Sequence, residues 1–214
     1  MRRPRALVFD LDGTLVDSKA DIAAACNVAL REHGAPPLPV ERIFTMIGDG
    51  ARALVARALA ASGADGDVDR VLATFQARYL ERPAVHTTLL PGASEVLASG
   101  ISAAIVTNKP RDIAEAVLDA LGVRGAFAVV FGGGDGPLKP SPAGVLHVLE
   151  RLAVAPGDAW MIGDGAQDVG AGRAAGCFTV AVPGIAEHAS VVASGPDAVV
   201  GSLHDVVRMI LTAA

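Results

Sequence analysis

Aromatic side chains are scarce in this chain of 214 residues, at 4%, with one tryptophan, one tyrosine and six phenylalanines. A core so short of large rings must be filled by aliphatic residues, and a hydrophobic share of 51%, rich in Ala, Val and Leu, can fill it. That balance suits an α/β core with Ala-rich helices and lies far from a disordered composition. Cysteine is as sparse: Cys26 and Cys177 make no disulfide framework, and their apolar neighbours mark them as reduced core residues. Positive charge is also in short supply. The net charge is −5, and the one basic concentration, Arg2-Arg3-Pro4-Arg5, reads as a solvated start rather than a nucleic-acid arm. No apolar stretch reaches the ~18 residues of a membrane span, and Asp10 and Asp12 interrupt the first apolar run too soon for a signal peptide. The expectation is a cytoplasmic protein, monomer or homodimer, with neither a nucleic-acid nor a membrane partner. Its length allows one domain, or one domain carrying a smaller insertion.

What is present alternates. Apolar runs at Leu7–Asp10, Ser102–Thr107, Ala128–Phe131, Trp160–Gly163, Phe178–Val182 and Ala198–Val200 read as strands buried on both faces. Helical patterns follow most of them, over Arg111–Leu121, Pro142–Leu152, Ala166–Ala175 and Leu203–Leu211. This alternation predicts an α/β protein with a three-layer, Rossmann-like parallel sheet. The span from Asp17 to Thr88 differs, with helix-period patterns (Asp21–Arg31, Val40–Met46, Arg52–Ala61, Val68–Tyr79) and no convincing strand. It reads as an inserted helical cap over residues 16–88, leaving 1–15 and 89–214 as the catalytic core. Turn chemistry at Gly13–Asp17 and Leu90-Pro91-Gly92 borders it.

The most informative run is Val8-Phe9-Asp10-Leu11-Asp12-Gly13-Thr14-Leu15. Residues two apart on a strand share a face, so Asp10 and Asp12 should enter one site where the first strand ends. In parallel α/β sheets ligands bind beyond the carboxyl ends of the strands. The second strand brings Thr107 and Asn108 to that edge, the Trp160 strand brings Asp164 with Asp168 four residues on, and the loop after Phe131 brings Lys139. Several carboxylates in one crevice repel by about 4 kcal/mol per pair at ~4 Å and a surface-like dielectric. A hard divalent cation resolves this, and Mg²⁺ held by carboxylates and a substrate phosphate is the usual form. With Lys139 as a point charge and Thr107 as a neutral donor, the parts match phosphoryl transfer.

In order along the chain, Asp10-Leu11-Asp12-Gly13-Thr14-Leu15, Thr107-Asn108-Lys109-Pro110, Lys139-Pro140-Ser141-Pro142 and Gly163-Asp164-Gly165-Ala166-Gln167-Asp168 resemble the four motifs of the haloacid dehalogenase-like phosphatases. Within them the chain is most similar to the bacterial phosphoglycolate phosphatases, through Ile47-Gly48-Asp49-Gly50 and Phe131-Gly132-Gly133-Gly134-Asp135. The resemblance implies a nucleophile at Asp10, which would form an aspartyl-phosphate, and an acid/base at Asp12. It implies Mg²⁺ held by Asp10, the backbone carbonyl of Asp12 and Asp164, with Asp168 acting through water or by orienting Lys139. Thr107, Asn108 and Lys139 would bind the phosphoryl group. Gly50, Arg52 and Lys109 are candidates for the rest of the substrate. Gly165 stands where relatives often carry serine, and Leu138 where close relatives often show a second lysine. Dehalogenases lack the second aspartate, so its presence speaks against dehalogenation.

The expected function is Mg²⁺-dependent hydrolysis of a small phosphorylated metabolite, first 2-phosphoglycolate. Alternatives are N-acetylmuramate 6-phosphate, a sugar phosphate, a nucleotide, pyrophosphate, a phosphomutase reaction, or a catalytically silent binding protein on the same scaffold. Asp17 reads as a helix cap. Gly132-Gly133-Gly134 lacks the continuation of a nucleotide P-loop and reads as a turn that places Lys139.

Overall fold

A computed structural model of the protein describes residues 2–186 and 188–213. The chain opens with strand β1 (Ala6–Phe9) and a two-residue strand β2 (Val16–Asp17). Four helices follow: α1 (Lys19–Glu32), α2 (Val40–Phe44), α3 (Ala51–Ser62) and α4 (Val68–Glu81). Strand β3 (Thr88–Leu89) then pairs antiparallel with β2, Val16 opposite Leu89 and Asp17 opposite Thr88. The remainder alternates: α5 (Ala93–Leu97), β4 (Ser102–Pro110), α6 (Arg111–Ala120), β5 (Phe127–Gly133), α7 (Ala143–Leu152), β6 (Ala159–Gly163), α8 (Ala166–Ala175), β7 (Phe178–Ala181), α9 (His188–Ala193), β8 (Ala198–Val199) and α10 (Leu203–Thr212).

Six of the strands form one sheet in the order β5-β4-β1-β6-β7-β8, with every pairing parallel. The expected strands and their following helices are therefore present. The β2–β3 ribbon, α5 and α9, of two to six residues each, are not among the expected elements.

Side-chain alternation along β1 splits the core into two layers. Leu7 and Phe9 join Ile105, Trp160 and Ile162 on one face, packed with residues of α5, α6 and α10. Ala6 and Val8 join Ala104, Val106 and Met161 on the other, packed with α7 and α8. Both cysteines are buried and unpaired, and burial pushes each thiol up to about 11. No helix among the described residues is long and apolar enough to cross a membrane.

The four helices between β2 and β3 build a third cluster around Ile22, Leu30, Leu54, Leu59, Phe75 and Tyr79, which continues onto Ile113 and Val117 of α6. The block is thereby packed against the sheet layer rather than suspended from it. Its entry and exit are also stitched together: the buried Asp21 carboxylate accepts from His86 N at 2.9 Å, Thr87 N at 2.8 Å and Thr87 Oγ1 at 2.6 Å. Burial works against that charge, but these donors hold its pKa below the usual carboxylate value.

The sheet order places the site. From β1 the chain moves outward through β4 to β5, then crosses to β6 and builds outward on the other side. The crevice where strand order reverses lies beyond the carboxyl ends of β1, β4 and β6. Phe9 is level with Ile105 on one side and Ile162 on the other. Asp10 follows one residue past that level and Thr107 and Asp164 two residues past it, so all three emerge at the same edge of the sheet.

Candidate active site

Asp10 leaves β1 with its backbone N–H donating to Ile162 O at 3.0 Å, which fixes its height at the sheet edge. Its carboxylate meets Lys139 Nζ at 2.7 Å, and the same ammonium reaches Asp168 Oδ1 at 2.6 Å. Lys139 is itself set by Asn108, whose Oδ1 accepts from the Lys139 backbone N–H at 2.8 Å. The Asn108 amide nitrogen donates to Lys139 O at 3.2 Å and to Gly48 O in the helical block at 3.1 Å. Asn108 thus lines the cleft with its side chain engaged by backbone at both ends, while Thr107 lines it nearby.

Asp164, at the end of β6, accepts from Ile185 N at 2.6 Å, Ala186 N at 3.2 Å and Thr14 Oγ1 at 3.1 Å. It fits between two glycines. A Cβ at Gly13, where φ is +87°, would stand 2.5 Å from Asp164 Oδ2, and one at Gly184 would stand 2.3 Å from the same atom. Asp168 sits in the first turn of α8 and accepts the Gly165 N–H at 2.8 Å, a favourable place for a carboxylate at a helix start.

Ligand oxygens of Asp10, Asp164 and Asp168 lie within 4.8 Å of one another. Burial first, with Asp168 and Asp12 adding to it, raises Asp10 to about 6 against the pull of Lys139. Burial and then Asp10 raise Asp164 to about 6. Asp168 is raised by burial, with the Asp164 charge adding to it. Burial alone would lower Lys139, but Asp10 and Asp168 hold it above its ordinary value and keep it charged. When all three carboxylates ionise against this one ammonium, two negative charges stay uncompensated, the charge a divalent cation carries. The donors are all oxygen. The residues therefore fit a hard divalent metal ion.

Asp12 lines the same cleft but has its own lysine. Lys109 Nζ lies 2.9 Å from Asp12 Oδ1 and 3.1 Å from Oδ2, and Ser18 Oγ donates to Oδ1 at 2.5 Å. The repulsion that the Asp10–Asp12 spacing suggests is thus relieved by two separate lysines. Lys109, expected near the substrate, is in the cleft with its ammonium already occupied. Gly50 also lines the cleft.

Arg52 corrects the sequence reading. It turns away from the cleft and pairs with Asp69, on the exposed side of α3. Residues two apart on a helix point about 200° apart, so Arg52 cannot share the inward face that buries Leu54. Asp17 pairs with Lys19 at 3.6 Å outside the cleft, one residue before the helix cap position held by Ser18. Gly132 N donates to Asp135 Oδ2 at 3.0 Å, closing a turn ahead of Lys139.

Sequence reasoning gave no role to Thr14, Ser18, Tyr79, Gln167, Ile185 or Ala186. Thr14 lies within the first motif and Ser18 just past it, and Tyr79 is the one tyrosine of the chain, so those three carry a faint signal. Gln167 carried one through its neighbour. A Cβ at Gly165 would lie 2.5 Å from Gln167 Oε1, so the glycine leaves room for this side chain to reach Asp49 Oδ1 at 2.9 Å. The apolar loop of Ile185 and Ala186 carried none.

The cleft of about 720 Å³, part of it open to solvent, runs from these carboxylates to an apolar wall of Ile22, Leu54 and Phe75 from the helical block. Comparison with known proteins agrees with the motif reading. The phosphoglycolate phosphatase of Chromobacterium violaceum is 42% identical over 192 residues, covering 85% of this chain and 86% of that protein. Phosphoglycolate phosphatase 1 of Pseudomonas aeruginosa is 37% identical over 95% of this chain and 79% of its own length. A crystal structure described as a predicted phosphoglycolate phosphatase from Haemophilus somnus superposes with a TM-score of 0.88 at 28% identity, covering 98% of this chain and 99% of that one. Residues 4–176 match the profile of the haloacid dehalogenase-like hydrolases. On that match and these relatives, the chain belongs to the haloacid dehalogenase-like hydrolases.

Proposed function

We propose that the protein hydrolyses a small phosphomonoester, with Mg²⁺ as its metal, 2-phosphoglycolate as its substrate, and the cytoplasm, suited to two reduced thiols, as its setting. The observation that carries this reading is the buried carboxylate cluster around Lys139 at the sheet's switch point, with Asp12 beside it. An Asp10 oxygen attacks phosphorus, the bond to the leaving oxygen breaks, and Asp12 gives that oxygen its proton. Water then attacks the phospho-aspartate, Asp12 takes the water's proton, and Asp10 is released with free phosphate. Lys139 and Thr107 hold the transferring oxygens, and Asn108 holds Lys139 in place. Asp10, the Asp12 carbonyl and Asp164 would hold Mg²⁺, with Asp168 behind them, and the ion would neutralise charge on the phosphoryl group. Residues 16–88 act as a cap whose apolar wall keeps water from the leaving group during the first step.

The substrate is tested by phosphate release across small phosphate esters, including 2-phosphoglycolate, sugar phosphates, N-acetylmuramate 6-phosphate, nucleotides and pyrophosphate. The expected outcome is a kcat/KM for 2-phosphoglycolate about 100-fold above the others, or about 2.7 kcal/mol of transition-state discrimination. Another winner would move the substrate and keep the phosphatase. Isomerised ester without free phosphate would replace hydrolysis with a mutase reaction.

The metal is tested through stability. Folded Asp10 and Asp164 keep their protons up to about pH 6, whereas an ordinary carboxylate releases its proton near 3.8. The folded state then binds more protons between those limits, so metal-free stability falls as pH rises from about 4 through about 6. A bound cation competes with the same protons, so the gain in Tm on adding Mg²⁺ should grow between about pH 5 and 7.5. Calorimetry with and without Mg²⁺ reads this directly. A gain that does not vary with pH would move the metal away from these carboxylates.

A further inference from the structure

Among the buried polar groups that line the cleft, the reaction proposed above gives no part to the hydroxyl of Tyr79. Tyr79, on α4, is 1% exposed and stands edge-on to Phe75 with ring centroids 5.7 Å apart. A phenol buried among apolar residues is costly unless its hydroxyl is bonded. Here the hydroxyl oxygen accepts from Lys109 Nζ at 2.9 Å. Burial pushes the phenol up to about 12, so it stays neutral, and the ammonium also lies 4.3 Å from the centre of the Tyr79 ring.

The ammonium of Lys109 bridges two groups: the Asp12 carboxylate, with its oxygens at 2.9 and 3.1 Å, and the Tyr79 oxygen at 2.9 Å. Its side chain is 4% exposed, so solvent supplies little else to orient it. Without Tyr79 the ammonium would have only the carboxylate to orient it, and the pair could pivot. With Tyr79 the nitrogen is fixed from the side of the helical block. Lys109 and Ser18 together then determine which way the Asp12 carboxyl faces.

We propose that Tyr79 is a positioning residue: through Lys109 it sets the direction in which Asp12 presents its carboxyl group to the leaving oxygen. This assignment rests on the phosphatase reading above. Lys109 is on this account a support for Asp12 and not a receptor for a substrate carboxylate.

The test uses the leaving group. When the P–O bond breaks, the electron pair goes to the leaving oxygen. An alkoxide needs the Asp12 proton at that moment, whereas p-nitrophenolate departs without it. Tyr79→Phe keeps the ring against Phe75 and removes only the oxygen. In a single turnover, the rate of leaving-group release from the best alkyl phosphate of the panel, which precedes the water step that Asp12 serves for every ester, should fall about 10- to 100-fold with KM changed by less than about 3-fold, since a misaligned acid acts in the transition state. The loss in the same release step on p-nitrophenyl phosphate should be at least about ten times smaller. Lys109→Met should give the same pattern, more deeply. The ratio between two esters in one preparation does not depend on how much protein is folded. No loss on the alkyl ester, an equal loss on both esters, or a change confined to KM overturns the assignment. Wild-type protein that releases phosphate from neither ester overturns the phosphatase reading and this assignment with it.

Discussion

Asp10→Asn should lower kcat by at least about 10⁴-fold, because losing the nucleophile of a group that acts as a unit removes nearly the whole catalysed route. The carboxamide oxygen is a poor nucleophile and cannot yield an acyl phosphate that water then clears. The fold should tolerate the change. Asp10 is a half-buried carboxyl group whose pKa is raised to about 6, so a neutral amide of the same shape removes charge the metal-free site disfavours. Lys139 keeps a partner, since Asp168 Oδ1 remains 2.6 Å away. Rapid quenching of a single turnover should trap phosphate covalently on the wild-type chain and none on the variant. A variant that retains more than about 1% of kcat would place the nucleophile elsewhere.

Lys139→Met should damage both stability and rate. The ammonium is the group that Asp10 and Asp168 share, and it is 7% exposed. Removing one member of a buried ion cluster leaves uncompensated charge and costs about 3–5 kcal/mol. For a chain of this size that is a fall in Tm of roughly 10 °C. The loss should shrink at about pH 5, where Asp10 and Asp164 regain protons, and on adding Mg²⁺, which takes over part of the charge. Activity should not follow. The oxygens of the transferring group lose a pre-placed cation, and kcat should stay about 10²–10³-fold down even at saturating metal. Lys139→Arg should not restore it, because a planar fork cannot take the place of a point charge held between two carboxylates. Thermal unfolding across pH with parallel phosphate release separates these effects. Equal recovery of stability and activity in Mg²⁺ would reduce Lys139 to a charge balance.

Legibility in the sequence follows the range of the forces involved. Six apolar runs alternating with helical patterns announce the parallel sheet, and the rule for such sheets then places Asp10, Thr107 and Asp164 at one edge. Lys139 was legible as the cation after the β5 strand. Asp12 entered the right cleft, but its separate lysine was not foreseen, because Lys109 reaches it across 97 positions of chain. Arg52 stands about 200° around α3 from Leu54 and pairs with Asp69 outside the cleft, a placement that a charge-based reading of the sequence does not capture. Tyr79 lay beyond local reasoning altogether. An aromatic on the apolar face of a helix looks like packing until the sheet delivers an ammonium to its hydroxyl.

The short ribbon that pairs Val16 with Leu89 has a bearing on how such a molecule diversifies. The helices leave the sheet and return to it through one doorway, its two jambs hydrogen-bonded to each other. Whatever is spliced between those jambs need not alter the register of any strand that carries Asp10, Thr107 or Asp164. Closing a longer excursion across the same gap costs only about 0.6 kcal/mol for each doubling of its length. The doorway makes the helical block exchangeable without disturbing the sheet, on condition that a replacement again supplies the contacts that Ser18, Gly48 and Tyr79 make to Asp12, Asn108 and Lys109.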